Sequence, residues 1–261
     1  MGDATRLWLG LAVCSLGCVT ARPPEAATAP SGGAAAAIAC AGPGQPTCAS
    51  MAARLRREGA GDDPETAIRV LEYGCGLREA RACYNAGLQW VNGDGVAHDT
   101  TRAARLFGLA CDGGMAPGCT DLGMMFVNAE GLRRDDVRAR GLYTRACEGG
   151  HMRGCSELAV MLLNGEGGAR DPGQGLQLMW RACQGAHARA CSQIGVLVSR
   201  GAPSPIPGRS PGYWLSEGCQ RGDALGCSMI AEMGSQGMGS QGPTMQMEPS
   251  GGDGSGAVRI P

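Results

Sequence analysis

Apolar and small side chains recur at helical spacing in successive blocks along the chain. Three blocks place them at offsets of 4, 7, 8 and 11 from an aspartate, which lie on one face of a helix. These blocks are Ala103/Leu106/Phe107/Ala110, Ala139/Leu142/Tyr143/Ala146 and Gly175/Leu178/Met179/Ala182. Shorter faces with a small central residue recur beside them, at Leu122/Gly123/Phe126, Leu158/Ala159/Leu162 and Ile194/Gly195/Val198. The pattern predicts pairs of amphipathic helices, with the small residue allowing close backbone approach.

Glycine-containing loops separate the two faces of each pair. They run from Asn92 to Asp99, from Asn128 to Asp135 and from Asn164 to Asp171. Each closing aspartate is placed to cap the following helix, and Pro172 stands at a first helical position. The repeating unit is therefore predicted to be helix A, a glycine loop and helix B.

The two terminal hairpins depart from this loop pattern. The last replaces the glycine loop with a proline-rich segment, so its helix B should begin near Pro211 with Ser210 as the cap. The first uses Asp62-Asp63-Pro64 as its cap. We also expect a half-helix at 34–39 and a final helix A at 228–233.

Cysteines mark the boundaries of these units. Beyond Cys14 and Cys18, twelve cysteines form six C-x7-C pairs, whose first members from Cys75 onward repeat every 36 residues. Such a constant period indicates stacked supersecondary units. Helix A is predicted to begin at the second cysteine of a pair, and helix B to end at the first cysteine of the next pair.

The spacing favours disulfides over metal ligands. Residues eight apart in one helix would lie about 12 Å apart, but glycine-rich turn sequences separate the two cysteines of each pair, so the chain can reverse. A zinc site needs four close ligands, whereas neighbouring pairs lie roughly 20 Å apart. The predicted bonds are Cys40–Cys48, Cys75–Cys83, Cys111–Cys119, Cys147–Cys155, Cys183–Cys191 and Cys219–Cys227.

The first residues indicate export. Arg6 precedes an apolar run at 7–17 that is too short to span a bilayer. Either Cys18 is lipidated after an imperfect lipobox, Ser15-Leu16-Gly17-Cys18, or cleavage follows Ala21, or the segment is retained as an anchor. We expect a signal at 1–18, a disordered tether at 19–33, a solenoid at 34–233 and a disordered tail at 234–261.

Composition and charge narrow the possible chemistry. The chain contains no lysine, has a net charge of −1 and contains few aromatic residues, all of which disfavour nucleic-acid binding. Without lysine, the serine β-lactamase motifs S-x-x-K and K-T-G are absent. Only three histidines are present; we expect His151 and His187 in solvent-exposed turns and His98 in a loop.

The other polar and aromatic candidates have structural interpretations. Asp94, Glu130 and Glu166 should form a solvated acidic rim. Trp90 and Phe126 are expected in the core, whereas Trp180, one residue past a core position, is expected to face a groove. We predict no catalytic, metal-binding or cofactor-binding residue.

The repeating motif resembles the Sel1-like repeat family, in its Helicobacter cysteine-rich branch. The similarity lies in Cys111–Cys119, Leu122-Gly123, Phe126, Gly131, Asp135, Ala139, Leu142-Tyr143 and Ala146-Cys147. It covers about residues 40–233. The resemblance implies an all-α, tetratricopeptide-like α/α superhelix that is secreted or periplasmic. Because some members of the branch are described as penicillin-binding proteins or slow β-lactamases, it also makes that activity a hypothesis.

Three functional hypotheses follow. The first is an exported envelope scaffold, monomeric and without a cofactor, that binds a protein or peptide on a concave surface formed mainly by the helix A faces. Any membrane attachment would be through a lipid on Cys18, at the periplasmic or outer-membrane surface. The second is a β-lactam hydrolase or penicillin-binding protein, and the third is a purely structural envelope protein.

Overall fold

The computed structural model describes residues 40, 46–57, 64–94 and 96–235, in which eleven α-helices and no strands are found. They are α1 (Cys48–Arg57), α2 (Pro64–Gly76), α3 (Ala80–Asn92), α4 (Thr100–Asp112), α5 (Ala116–Asn128), α6 (Asp136–Glu148), α7 (Met152–Asn164), α8 (Pro172–Gln184), α9 (Ala188–Ser199), α10 (Pro211–Gln220) and α11 (Ala224–Ser235). The predicted signal, Cys18, the tether, the half-helix, the Asp62-Asp63 cap and nearly all of the tail lie outside the described residues. None of the described helices is both long and apolar enough to cross a membrane.

The helices form a solenoid of antiparallel hairpins. Each helix packs against its neighbours in the chain, from α1 on α2 through to α10 on α11. In addition, α1 contacts α3, α5 contacts α7 and α9 contacts α11. The odd-numbered helices, the predicted helices A, therefore form one layer of the solenoid, and the even-numbered helices B form the other.

The close approach of the two helices in a hairpin depends on glycine. A Cβ atom added at Gly123 in α5 would lie 2.7 Å from the Tyr143 ring of α6, and one at Gly87 in α3 would lie 2.6 Å from the Phe107 ring of α4. In the third of these repeats, the corresponding residues are Ala159 and Met179, both buried. The small residue predicted on helix A thus provides the space that a large helix B side chain fills.

All six predicted disulfides are present. Their S–S distances lie between 1.96 and 2.08 Å, and their Cα–Cα distances lie between 4.4 and 4.9 Å. The five bonds from Cys75–Cys83 onward each join one helix to the next across the turn between units, whereas Cys40–Cys48 joins the start of α1 to a residue outside the helices. Closure of such a short loop is expected to stabilise the fold by about 2–3 kcal/mol per bond.

The predicted helix boundaries at the cysteines were wrong by up to one turn. Helix α4 continues to Asp112, beyond Cys111, and α5 begins at Ala116, before Cys119. The reversal needs few residues because Gly114 adopts a φ of 85°, and the Met115 N–H donates to the Ala110 carbonyl at 2.9 Å. Of the predicted turn, only residues 113–115 are therefore outside the helices.

The predicted caps are confirmed where the structure describes them. Asp99, Asp135 and Asp171 each accept a backbone N–H at 2.9 Å from the residue three positions later. Helix α10 begins at Pro211, and Ser210 accepts the Tyr213 N–H. The final helix is longer than predicted, since α11 covers Ala224–Ser235 rather than 228–233.

Candidate binding surface

One face of α3, α5, α7 and α9 carries four rows of side chains at offsets of 0, 4, 7 and 11, which we call the odd-helix face. The rows are Arg81/Pro117/Arg153/Arg189, Asn85/Asp121/Glu157/Gln193, Leu88/Met124/Val160/Val196 and Asn92/Asn128/Asn164/Arg200. All eight residues of the two inner rows are half-buried, whereas every residue of the outer rows except Pro117 is exposed. The odd-helix face therefore has a recessed centre in which a polar row lies beside an apolar row.

Two carboxyl groups lie in this recessed centre. The Asp121 side chain is only 14% exposed, with an oxygen 3.9 Å from the Arg153 guanidinium. Burial raises the pKa of Asp121, although Tyr84 and Arg153 partly offset the effect. Burial also raises the pKa of Glu157, which Arg153 and Arg189 oppose. Both acids are therefore held where their charged forms are incompletely compensated.

Tyr84 extends this cluster onto α3. Burial raises the pKa of its phenol to about 12, and the nearby Asp121 carboxylate adds to the effect. The ring also contacts the core, because it lies 5.7 Å from the Phe107 ring between centroids. Tyr84 stays neutral at physiological pH and offers a hydroxyl group beside Asp121.

His151 and His187 are not in exposed turns, as the sequence had led us to expect. Both are half-buried, and the His151 Nδ1 lies 2.7 Å from the hydroxyl of Thr120. Burial lowers the pKa of His151, and also that of His187, where Arg153 adds to the effect. Because the turn between units packs on the preceding helix A, its residue at this position is enclosed.

The same turn position contacts the preceding unit elsewhere in the chain. Glu79, which precedes α3, accepts the backbone N–H groups of Cys48 at 2.9 Å and Ala49 at 3.1 Å at the start of α1. Met115 packs against the apolar core. The shared phase of these residues was visible in the sequence, but their contact with the preceding helix was not. His98, in contrast, is exposed in a loop, as predicted.

The predicted acidic rim consists of loop residues with local partners. Asp94 pairs with Arg56 at 3.3 Å. Glu130 and Glu166 each accept a hydrogen bond at 3.1 Å from the side chain of the asparagine two positions earlier, Asn128 and Asn164. Glu130 and Asp94 are exposed, whereas Glu166 is half-buried, so the rim is less uniformly solvated than expected. Within the described ranges, no group of three or more His, Cys, Asp or Glu residues could hold a metal ion.

The aromatic residues are part of the packing. Trp90 is 9% exposed and donates from Nε1 to Glu72 at 3.0 Å, and the partly buried Phe126 packs against the core. Trp180 does not lie on the odd-helix face: it belongs to α8, and its ring meets the Trp214 ring of α10 edge-on at 5.1 Å. The expectation that Trp180 faces a groove was wrong, because the long loop between α9 and α10 lets α10 bring Trp214 against it.

Comparison with known proteins agrees with this architecture. The Sel1 repeat family matches residues 80–115, 116–151 and 153–187, each an odd helix, a loop and an even helix. No curated protein matches the sequence. A Sel1 repeat protein from Oxalobacter formigenes is similar in structure, with a TM-score of 0.66 and 18% identity over 71% of this chain and 74% of that one.

Two further solved structures are similar. The protective antigen c5321 of uropathogenic Escherichia coli has a TM-score of 0.64 and 22% identity, over 71% of this chain and 40% of that chain. The Helicobacter pylori cysteine-rich protein B has a TM-score of 0.42 and 23% identity, over 52% of this chain and 98% of that one. Residues 80–187 therefore carry three Sel1 repeats, and the solenoid fold agrees with that match.

Proposed function

We propose that this Sel1 repeat protein is an exported scaffold that binds an extended peptide segment of another protein along the odd-helix face. Sel1 repeats generally mediate protein–protein interactions. We infer that the odd-helix face is the concave surface expected from the sequence. The contacts of α1 with α3, α5 with α7 and α9 with α11 support that assignment, because the inner layer of a superhelix is the more closely packed one.

The observation that carries the proposal is the recessed pair of inner rows. A polar row and an apolar row run side by side across four helices, which is a surface suited to an extended peptide. Because successive side chains of an extended peptide point in opposite directions, such a peptide can direct apolar side chains toward Leu88, Met124, Val160 and Val196 while its backbone faces the polar row.

The buried acids add a charge preference. Asp121 and Glu157 are disfavoured as anions by their burial. A cationic side chain from the partner would add to the partial compensation that Arg153 and Arg189 give these acids, and it would lower their raised pKa values. Groups held at such a cost to stability are candidates for function.

Export is the second part of the proposal. Six disulfides persist only in an oxidising compartment in most organisms. We propose that Cys18 carries a lipid and that the solenoid begins near residue 34. Mass spectrometry of the mature protein tests this directly, since an acylated N-terminal Cys18 agrees with the proposal and an N-terminus at Arg22 contradicts it.

The other two hypotheses have less support. The comparisons with known proteins give no support for β-lactam hydrolysis. The chain also lacks the lysine that the motifs of serine β-lactamases require. A nitrocefin assay on the oxidised protein should therefore show no turnover above a denatured control. A purely structural role remains as the outcome expected if no peptide binds.

Panning a phage-displayed library of extended peptides against the oxidised protein tests the peptide-binding proposal. Val160→Arg places a charge in the apolar inner row, and Val137→Arg makes the same change on α6, where Val137 is 71% exposed. Peptides selected on the wild type should lose at least tenfold in affinity with Val160→Arg and little with Val137→Arg, at unchanged circular dichroism. Equal losses, or no selected peptide, would contradict the proposal.

A further inference from the structure

A pocket of about 150 Å³ lies among α1, α2 and α3, at the N-terminal end of the odd-helix face. Its lining comprises Ala49, Ala52, Ala53 and Arg56 of α1, Leu71 of α2, and Asn85, Leu88 and Gln89 of α3. The alanine and leucine side chains present carbon, whereas Arg56, Asn85 and Gln89 carry polar groups. The pocket is thus a recess with an apolar part, two primary amides and one guanidinium in its wall.

Gln89 is buried without a partner. The residue is only 2% exposed. Neither Oε1 nor Nε2 of its side chain has a hydrogen-bond partner among the described residues. A buried amide without partners lowers the stability of the fold, because both atoms have lost their hydrogen bonds to water and form none within the protein.

The other repeats show that the fold does not require an amide at this position. The residues 36 and 72 positions later are Met125 and Met161, which are 3% and 2% exposed. Methionine fills the same place on α5 and α7 without leaving polar atoms unpaired. The amide of Gln89 is therefore specific to the unit that has the pocket, which points to a role outside folding.

We propose that the pocket binds a carboxamide group, such as a glutamine or asparagine side chain presented by the bound peptide. This inference rests on the proposed peptide-binding function. The two amide atoms of Gln89 expose less than 1 Å² each, so binding requires the Gln89 side chain to rotate toward the pocket. A carboxamide then supplies an N–H donor to Oε1 and a carbonyl acceptor to Nε2, so that both atoms are satisfied at once. The alanine and leucine side chains contact its methylene groups.

Other occupants match the pocket less well. A carboxylate has no donor for Oε1, and Arg56, the cation in the pocket wall, is already paired with Asp94 at 3.3 Å. A hydrocarbon group would leave both amide atoms unpaired. The volume of about 150 Å³ accommodates a side chain of glutamine size but not a ring system of several rings.

Titration with butyramide, which reproduces a glutamine side chain out to its Cα, tests the pocket directly. The protein is oxidised and ¹⁵N-labelled, and the side-chain amide signals of Gln89 are assigned by their loss in Gln89→Met. We expect a saturable shift of these signals with butyramide, and binding at least about tenfold weaker for butyrate and 2-pentanone, which lack the donor. No saturable shift, or equal affinities for the three compounds, would overturn the proposal.

The variant Gln89→Met gives a second, independent measurement. It should abolish the shifts that butyramide causes in the backbone amide signals of the pocket residues, and it should raise Tm by about 2–6 °C, because it introduces the residue that the next two repeats use. Gln177→Met, at an exposed position on α8, is the matched control and should change neither. Retained butyramide binding in Gln89→Met, or a lower Tm, would overturn the proposal.

The experiments distinguish failure of the carboxamide pocket from failure of the peptide-binding function. Butyramide is too small to lie along the odd-helix face, so its failure to bind would remove the carboxamide pocket alone. Failure to select peptides that respond to Val160→Arg would instead remove the peptide-binding function.

Discussion

The two faces of α5 differ in what their side chains contribute, although Asp121 and Gly123 are only two residues apart. Gly123 faces Tyr143 and has no room for a Cβ atom. Asp121 faces the recess beside Arg153, where burial disfavours its charge. On the core face, Gly123 is the residue that close packing requires. On the odd-helix face, Asp121 is a residue whose burial the packing does not favour.

The same contrast recurs at the end of the solenoid. Gln89 leaves two buried polar atoms unpaired at a position where Met125 and Met161 pack cleanly. Disulfides and glycine contacts repeat from unit to unit, whereas the side chains that disfavour folding differ between units. We infer that constant positions maintain the superhelix and that the variable ones define what it binds. Four changes test this distinction.

Removal of one disulfide should have the largest effect. The double change Cys147→Ala/Cys155→Ala should lower the free energy of unfolding by about 2–3 kcal/mol, because the unfolded chain regains the entropy of an open loop. Denaturant unfolding monitored by circular dichroism measures the loss. Intact mass should first show the wild type twelve hydrogens lighter than its reduced form, as six disulfides require. A smaller deficit would mean that a pair is open.

The addition of a methyl group at Gly123, on the core face of α5, should have the next largest effect on stability. Gly123→Ala places a Cβ 2.7 Å from the Tyr143 ring, and relief of the clash should cost about 1–3 kcal/mol. Gly141→Ala, in a helix with nothing within 4 Å of its added Cβ, should stabilise the protein by up to about 1 kcal/mol. Thermal unfolding of both variants measures the difference, and equal effects would show that the α5–α6 contact is not tight.

Protonation of the buried histidines at low pH should have a smaller effect on stability. His151 and His187 have lowered pKa values in the folded protein because they are buried. Their contribution to stability is therefore complete above the unfolded pKa, about 6.5, and is lost as pH falls through it toward the folded values. The raised pKa values of Asp121 and Glu157 act oppositely, since protonation at lower pH relieves their burial.

The histidine contribution is isolated by comparing the wild type with the double change His151→Gln/His187→Gln. Tm of the wild type should fall relative to that of the variant between pH 7 and pH 5. A constant difference across this range would contradict the burial of the histidines.

Neutralisation of Asp121, on the odd-helix face, should have the smallest effect on stability. Asp121→Asn removes a charge that burial disfavours, so the free energy of unfolding should change by less than about 1 kcal/mol, with stabilisation the favoured sign. Affinity for a selected cationic peptide should nevertheless fall. Asp112→Asn, at a 73% exposed side chain on α4, is the control and should leave the affinity unchanged. A large loss of stability in Asp121→Asn would show that this aspartate supports the fold.

Most of the fold was predictable because the period and cysteine spacing constrain it locally. Cysteines eight residues apart can be joined only if the chain reverses between them, and this made both the hairpin turns and the six bonds predictable. The helix ends were less predictable, since α5 begins before Cys119 and α4 ends after Cys111. Their positions depend on the compact turn around Gly114, whose positive φ is not specified by spacing alone.

The candidate site was only partly predictable. Helical offsets placed the odd-helix face on helix A, but they gave no measure of how deeply Asp121 or Glu157 lies in it. His151 was expected in solvent because its position in the turn varies between units, whereas the turn packs against Thr120 of the preceding unit. Contacts between units are not visible in the pattern within one unit.

Local chemistry, namely helical periodicity, capping aspartates and paired cysteines, therefore determined the class of fold from the amino-acid order. The tertiary structure decided which side chains are enclosed by two units at once. The burial of Asp121, His151 and Gln89 has this origin, and so do their unfavourable electrostatics and missing hydrogen bonds. Desolvation depends on every neighbour that surrounds a group, and the stacking of repeats brings those neighbours from distant parts of the chain.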